Sequence, residues 1–300
     1  MKILITGASG FVGTNIQKFF RMLNKNLELV SIRYPLNKEF ALKADVIIHL
    51  SGIAHDLKNR LKENDYYKAN NELTKQLFDS FLNSEAKIFI FLSSVNAVKR
   101  IENENFTEEN YGMPITTFGK SKRLAEEYLL SQPHSVGKKI FILRPCMIHG
   151  LGNKGNLNLL YQIVVKRIPW LLGAFQNQRS FCSIDNVCFI IQQILEREEI
   201  PSGVYNLADD EALSTNELIE LIASATNRKV RVLNIPKKLI YTIAKIGDVL
   251  HLPLNTERLD KLTENFVVSN AKIKTALGIE KLPTSAREGL VKTISSFKKS

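Results

Sequence analysis

The apolar run KILIT at Lys2–Thr6 breaks into GASGFVG, with glycines at 7, 10 and 13, and VGTNIQKFFRML follows with apolar residues at helical spacing. A strand that enters a glycine turn and leaves as a helix admits few folds. The turn is tight, the missing side chains let a phosphate approach the backbone, and the helix start offers unpaired N–H groups. Gly7, Gly10 and Gly13, with Phe11 and Val12 between them, are therefore expected to border a dinucleotide's pyrophosphate, although the spacing departs from G-x-G-x-x-G.

The rest of the first half repeats the strand–helix alternation. LELVSIR, ADVIIHLSG, AKIFIFLSSVNAV and KKIFILRP read as strands, and YYKANNELTKQLFDSFLN and SKRLAEEYLLS as helices. Short connections between them predict an α/β fold, a doubly wound parallel sheet covered on both faces. After Pro145 the pattern is mixed. We expect a cofactor domain over 1–150 and a smaller mixed α/β substrate domain over 151–300, some of whose segments return to the main sheet. In that second part Leu157–Lys166 reads as a helix, and RSFCS as an extended piece before a helix capped by Asp185. GVYNL reads as a strand, with a helix starting at Ser214 or Thr215 and Glu217 in its first turn. VRVLNIP and FVVSN are strand candidates, and SAREGLVKTISSF is amphipathic.

Charge and cysteine content exclude some classes. The formal charge is +11, but the lysines are scattered and do not interleave with aromatics as a nucleic-acid platform requires. A solvated surface and a small anionic ligand fit better. No apolar run reaches the eighteen or so residues that span a membrane, and the N-terminal apolar stretch is too short for a signal peptide. Cys146, Cys182 and Cys188 are odd in number and lack metal-ligand spacing, so free thiols in a reducing, cytoplasmic setting are expected. No metal site is expected.

Ligands in such sheets lie beyond the carboxyl ends of the strands. Arg33, at the end of the second strand, faces a 2′-phosphate more readily than an acid would, which predicts NADP with NAD as the alternative. Leu50, Ser51 and Gly52 end the third strand and leave room for the cofactor. Ser93 and Ser94 end the fourth, where turn formation is the plainer reading. His49 is expected to pack or hydrogen-bond within its strand and His149 only to border the pocket, and a place for His55 in the cleft is the less favoured reading.

GASGFVG, ADVIIHLSG, FLSSV, FGKSKRLAEEYL and ILRP, in that order, resemble the extended short-chain dehydrogenase/reductase family. HGLGNKGNL, IPWLLG, QNQRSFCSIDN and GVYNLADDEALSTNELIELIA are similar to its branch acting on nucleotide-linked sugars, nearest to UDP-N-acetylhexosamine 4-epimerases and 4-keto-6-deoxyhexosamine 4-reductases of surface-polysaccharide synthesis. The resemblance implies that Asn70 orders the active-site region, that Ser94 hydrogen-bonds the reacting sugar oxygen, and that Lys122 holds the nicotinamide ribose. It also implies that Asn156 contacts substrate and that Arg179 clamps the diphosphate, a role suited to an arginine fork. With Arg33, the expected reaction is NADP(H)-dependent reduction at C4 of a UDP-linked 4-keto-6-deoxy-N-acetylhexosamine. A UDP-sugar 4-epimerase retaining NAD and a non-catalytic nucleotide-sugar binder are the alternatives. A homodimer is usual in the family.

The family's catalytic tyrosine falls at Phe118, one helical turn before Lys122. A phenol next to an ammonium loses part of its ordinary pKa of ~10 and becomes a usable acid–base group. Phenylalanine keeps the ring and discards that chemistry, which typically costs ~10²–10⁴ in rate. An engineered replacement, a substitute donor among Ser94, Tyr111, Lys122 or water, and a natural loss of catalysis all remain open. SSVNAVKR also departs from the family's small–aromatic–Gly ending, which leaves the substrate wall near Val98 undefined.

Overall fold

The central strands of the first half carry unbroken apolar stretches because both faces are covered. Ile3–Ile5, Val46–Ile48 and Phe89–Phe91 are buried without alternation in the computed structural model, which describes residues 1–37, 42–54, 61–99, 105–110, 112–133, 135–153, 155–250 and 254–297. Strand β1 (Lys2–Thr6) leads into helix α1 (Phe11–Met22), then β2 (Asn26–Val30) and β3 (Val46–His49). Next come α2 (Glu63–Tyr66), a π-helical turn (Tyr67–Glu72), α3 (Leu73–Leu82) and β4 (Ile88–Leu92). A single 3₁₀ turn at Val95–Ala97 precedes α4 (Thr117–Ser131) and β5 (Lys139–Pro145).

Beyond β5 the chain forms β6 (Met147–His149), α5 (Asn156–Val165), β7 (Arg179–Ser183), α6 (Ile184–Glu196), β8 (Gly203–Leu207) and β9 (Ala212–Leu213). Five helices follow: α7 (Thr215–Thr226), α8 (Lys237–Leu250), α9 (Thr256–Thr263), α10 (Ala271–Leu277) and α11 (Ala286–Phe297). The main sheet is parallel throughout, in the order β2-β1-β3-β4-β5-β8, so β8 extends a sheet built mainly from the first half. A second sheet, β6-β7-β9, is mixed. The fold is thus a doubly wound parallel sheet with a smaller mixed C-terminal sheet. Two apolar clusters cover the faces of the main sheet, and a third, around Leu160, Trp170, Ile219 and Leu290, fills the C-terminal part.

Three local expectations are corrected. Asp185 is not the cap of α6: the Ser183 hydroxyl accepts from Asp185 N, because Ser183 ends β7 in extended backbone and Asp185 already sits in the first helical turn. VRVLNIP and FVVSN form only isolated bridges, such as Trp170 with Val232 and Phe106 with Val268, and no continuous ladder. Helices α8, α9 and α10 occupy segments for which no helix was expected. The helix after β9 does begin at Ser214, which forms a capping box with Glu217.

Candidate active site

The strand order reverses between β1 and β3, and their carboxyl ends open a crevice where such sheets hold ligands. Gly7 turns there with φ +68, and a Cβ on it would lie 2.6 Å from Ser51 N and 2.7 Å from the Leu50 carbonyl carbon. A Cβ on Gly13 would lie 2.4 Å from Gly7 O, so both positions require glycine if α1 is to pack this closely. Gly10 caps α1 without a side-chain bond, and the first turn, starting at Phe11 and Val12, carries no acid. Its N–H groups and dipole suit a diphosphate.

A buried polar chain runs from this turn towards α4. Thr6 Oγ1 lies 2.7 Å from His49 Nδ1, and His49 Nε2 lies 2.9 Å from Thr74 Oγ1, which donates to Asn70 O at 2.8 Å. Burial, with the Lys122 charge adding to it, holds His49 neutral with a pKa of about 3. Asn70 lies in the π-helical turn. Its side chain accepts from Ile53 N at 2.7 Å and donates to Ile53 O at 2.9 Å and Ser121 Oγ at 3.0 Å. Ser121 in turn donates to Phe118 O. His49 thus bonds across to β1 and α3, a linkage that only the parallel register of Thr6 with His49 reveals.

Thr116 caps α4 and accepts from Gly119 N, which places Phe118 in the first turn, half-buried. Lys122, one turn later and buried, donates from Nζ to Leu92 O at 2.9 Å and lies 4.5 Å from the Phe91 ring centroid. Desolvation outweighs the favourable Glu126 charge and lowers its pKa to about 8. A Cβ on Gly52 would sit 3.3 Å from that Nζ and 2.6 Å from Asn70 Oδ1, so the end of β3 and the lysine are immediate neighbours. Ser94, just past β4, accepts from Asn96 N at 3.2 Å and keeps its hydroxyl proton available for donation. Glu126 and Arg144 form a buried ion pair at 2.6 Å behind the lysine, and Ser93 donates to Glu126 at 2.5 Å. Neither Glu126 nor Arg144 stands out in the sequence as a site residue. The pair's only signal is a carboxylate four residues after Lys122.

Gly7, Leu50, Ser51, Gly52, Asn70 and Lys122 are therefore joined by direct contacts. Other expected residues stand apart. Arg33 is exposed, three residues past the end of β2. The Arg179 guanidinium donates to Lys261 O and lies 3.7 Å from Glu264, so it ties β7 to α9. Asn156 begins α5, and its side chain lies outside the described residues, as do Tyr111 and His55. His149 is buried between Thr293 and Asp209, and Val98 is buried beside the 3₁₀ turn. A phenol does stand beside α4: Tyr67 and Thr117 both donate to Glu63 at 3.4 Å. Desolvation and the Glu63 charge raise the Tyr67 pKa, the opposite of what a base requires. Among the described residues no cluster of His, Cys, Asp or Glu is arranged for a metal, and all three cysteines are free and buried. No helix among them is long and apolar enough to cross a membrane.

The glycine turn, the open α1 start and the small residues ending β3 fit a dinucleotide. Comparison with known proteins agrees. The chain is 27% identical over 98% of its length, and 95% of the other's, to a UDP-glucose 4-epimerase of Vibrio cholerae. The structure of MoeE5 in complex with UDP-glucose and NAD matches with a TM-score of 0.77 at 18% identity, covering 100% of this chain and 99% of that one. UDP-glucuronic acid 4-epimerase from Bacillus cereus, in complex with NAD, matches at 0.74 and 19% over 100% and 99%. The NADP expectation is overturned: most of the similar structures that hold a cofactor hold NAD, and Arg33 stands in solvent beyond its strand rather than at the strand end. The profile of the NAD dependent epimerase/dehydratase family matches residues 3–208, and the chain belongs to that family.

Proposed function

We propose that the protein is an NAD-dependent 4-epimerase of a UDP-linked hexose or hexosamine, with Lys122 exchanging the proton that the family assigns to a tyrosine. One observation supports this above others. Lys122 is the buried amine beside Gly52 and Leu92, and its pKa of about 8 matches neutral-pH proton transfer. NAD, when bound, supplies the hydride acceptor and donor at the sugar C4.

Gly7, Gly10 and Gly13 would hold the cofactor diphosphate, and Leu50–Gly52 would line its length. Ser94 would donate its hydroxyl proton to the C4 oxygen and fix the sugar. The neutral Lys122 amine keeps one N–H on Leu92 O and presents its lone pair to the C4 hydroxyl. It takes the proton as C4 is oxidised and returns it as the alcohol re-forms. His49 stays neutral and does not compete. Arg179 would leave Glu264 to meet the substrate diphosphate.

Phe118 also favours a second reading, a nucleotide-sugar binder without turnover. Product analysis by NMR on UDP-glucose and UDP-N-acetylglucosamine, without added reductant, separates the two. Turnover by the native chain that is lost in Lys122→Met supports the epimerase. No turnover by the native chain, with strong gain in Phe118→Tyr, removes Lys122 from the role and leaves the binder.

A further inference from the structure

We propose that helix α8 and the basic segment that leads into it form a docking surface for an anionic phospholipid bilayer. Helix α8 buries Ile240, Ala244 and Gly247 on one side, where a Cβ on Gly247 would overlap Leu254 O. Leu239, Ile243, Ile246 and Leu250 recur at spacings of four, three and four, so they form one stripe that borders the buried one. All four are exposed, as is Val249 on the flank away from the buried side. A contiguous apolar stripe of this kind on a monomer's surface marks an interaction site.

The surroundings define the partner's charge. From Asn227 to Leu250 the chain carries Arg228, Lys229, Arg231, Lys237, Lys238 and Lys245 against a single carboxylate, Asp248. Asp248 is already occupied, accepting from Thr256 N at 3.0 Å and Thr256 Oγ1 at 2.8 Å. Arg228, Lys229 and Arg231 join Arg167 around a surface cleft of about 510 Å³. Hydrogen bonds from Trp170 N to Arg231 O and from Leu233 N to Trp170 O hold the segment that leads from this cleft to α8 against Trp170, and Ile168, Leu171 and Leu233 are exposed.

Exposed apolar side chains on a helix that also carries Lys237, Lys238 and Lys245 match the acyl boundary and phosphates of an anionic leaflet. A second copy placed on the stripe would oppose like charges. At 14 residues α8 is too short to span a bilayer, so the attachment is peripheral. It leaves the crevice at Gly7 and Lys122 to its own chemistry and stands whether or not that chemistry is epimerisation.

Cosedimentation of the full chain with phosphatidylglycerol–phosphatidylcholine vesicles, against phosphatidylcholine alone, tests the surface. Binding is expected only to the anionic vesicles and should weaken with salt. Each of Arg228→Gln and Arg231→Gln should lower the partition constant about fivefold, and Leu239→Gln with Ile246→Gln about tenfold or more. These side chains are exposed, so thermal melting should show the variants folded. Equal binding to both vesicle types, no binding to either, or binding indifferent to the α8 substitutions would overturn the proposal. So would a dimer in sedimentation velocity that the α8 substitutions disperse while vesicle binding is absent.

Discussion

Lys122 Nζ donates to the Leu92 carbonyl oxygen at 2.9 Å, which fixes the ammonium at the carboxyl end of β4 instead of leaving it in solvent. Burial there lowers its pKa to about 8. If the neutral amine is the base, kcat/KM for the forward reaction should rise with pH and level off above about 8. Lys122→Met should lose that limb and ~10²–10⁴ of the rate. A pH–rate profile of the two proteins checks this, and a native profile flat from 6 to 9 would exclude the amine as base.

Glu126 and Arg144 hold α4 to β5 from behind. Removing one partner leaves a buried charge uncompensated, so Glu126→Gln is expected to cost roughly 3–5 kcal/mol. The double replacement Glu126→Leu with Arg144→Met should recover most of that loss, because neither charge is then stranded. Urea denaturation of the single and double variants measures the coupling. Additive losses would mean that the pair acts as two independent hydrogen-bonded groups.

The layout of this region was only partly legible in the sequence. Gly7 and Gly13 could be read because their reason is local: a turn, and a helix that must pass close to it. The strand ends could be read because unbroken apolar runs stop at small residues. His49 was seen as a strand residue, but its partners Thr6 and Thr74 lie 43 and 25 positions away and depend on register. Arg33 misled because a residue type at a strand end was read before the strand's end was known. Helix α8 was missed since most of its apolar residues face outward, which blurs the usual one-sided pattern.

Arg179 offers a test of the substrate end. Its fork is now shared between Lys261 O and Glu264, and it must turn to reach a diphosphate. A charge-assisted bond to phosphate contributes about 1.5–3 kcal/mol. Arg179→Ala should therefore raise KM for the nucleotide sugar about 10- to 100-fold with little change in kcat. Lysine should restore only part, as it lacks the planar fork. An unchanged KM would confine Arg179 to bracing α9.

His49 gives the fold its acid sensitivity. Its folded pKa of about 3 lies below the unfolded value of 6.5 because burial and the Lys122 charge oppose protonation. Between those two values the unfolded chain binds the extra proton, so stability rises with pH across the window and is lost as pH falls from about 6.5 towards 3. The slope is at most about 1.4 kcal/mol per pH unit from this one group. His49→Gln keeps one donor and one acceptor near Thr6 and Thr74 but cannot titrate. Its urea midpoint should lie below the native one at pH 7, where the stacking of the imidazole on Phe91 is lost. The gap between the two proteins should then shrink as the pH is lowered to 5. A gap of constant size would show that the acid limb arises elsewhere, because only a group that titrates differently in the two proteins can close it.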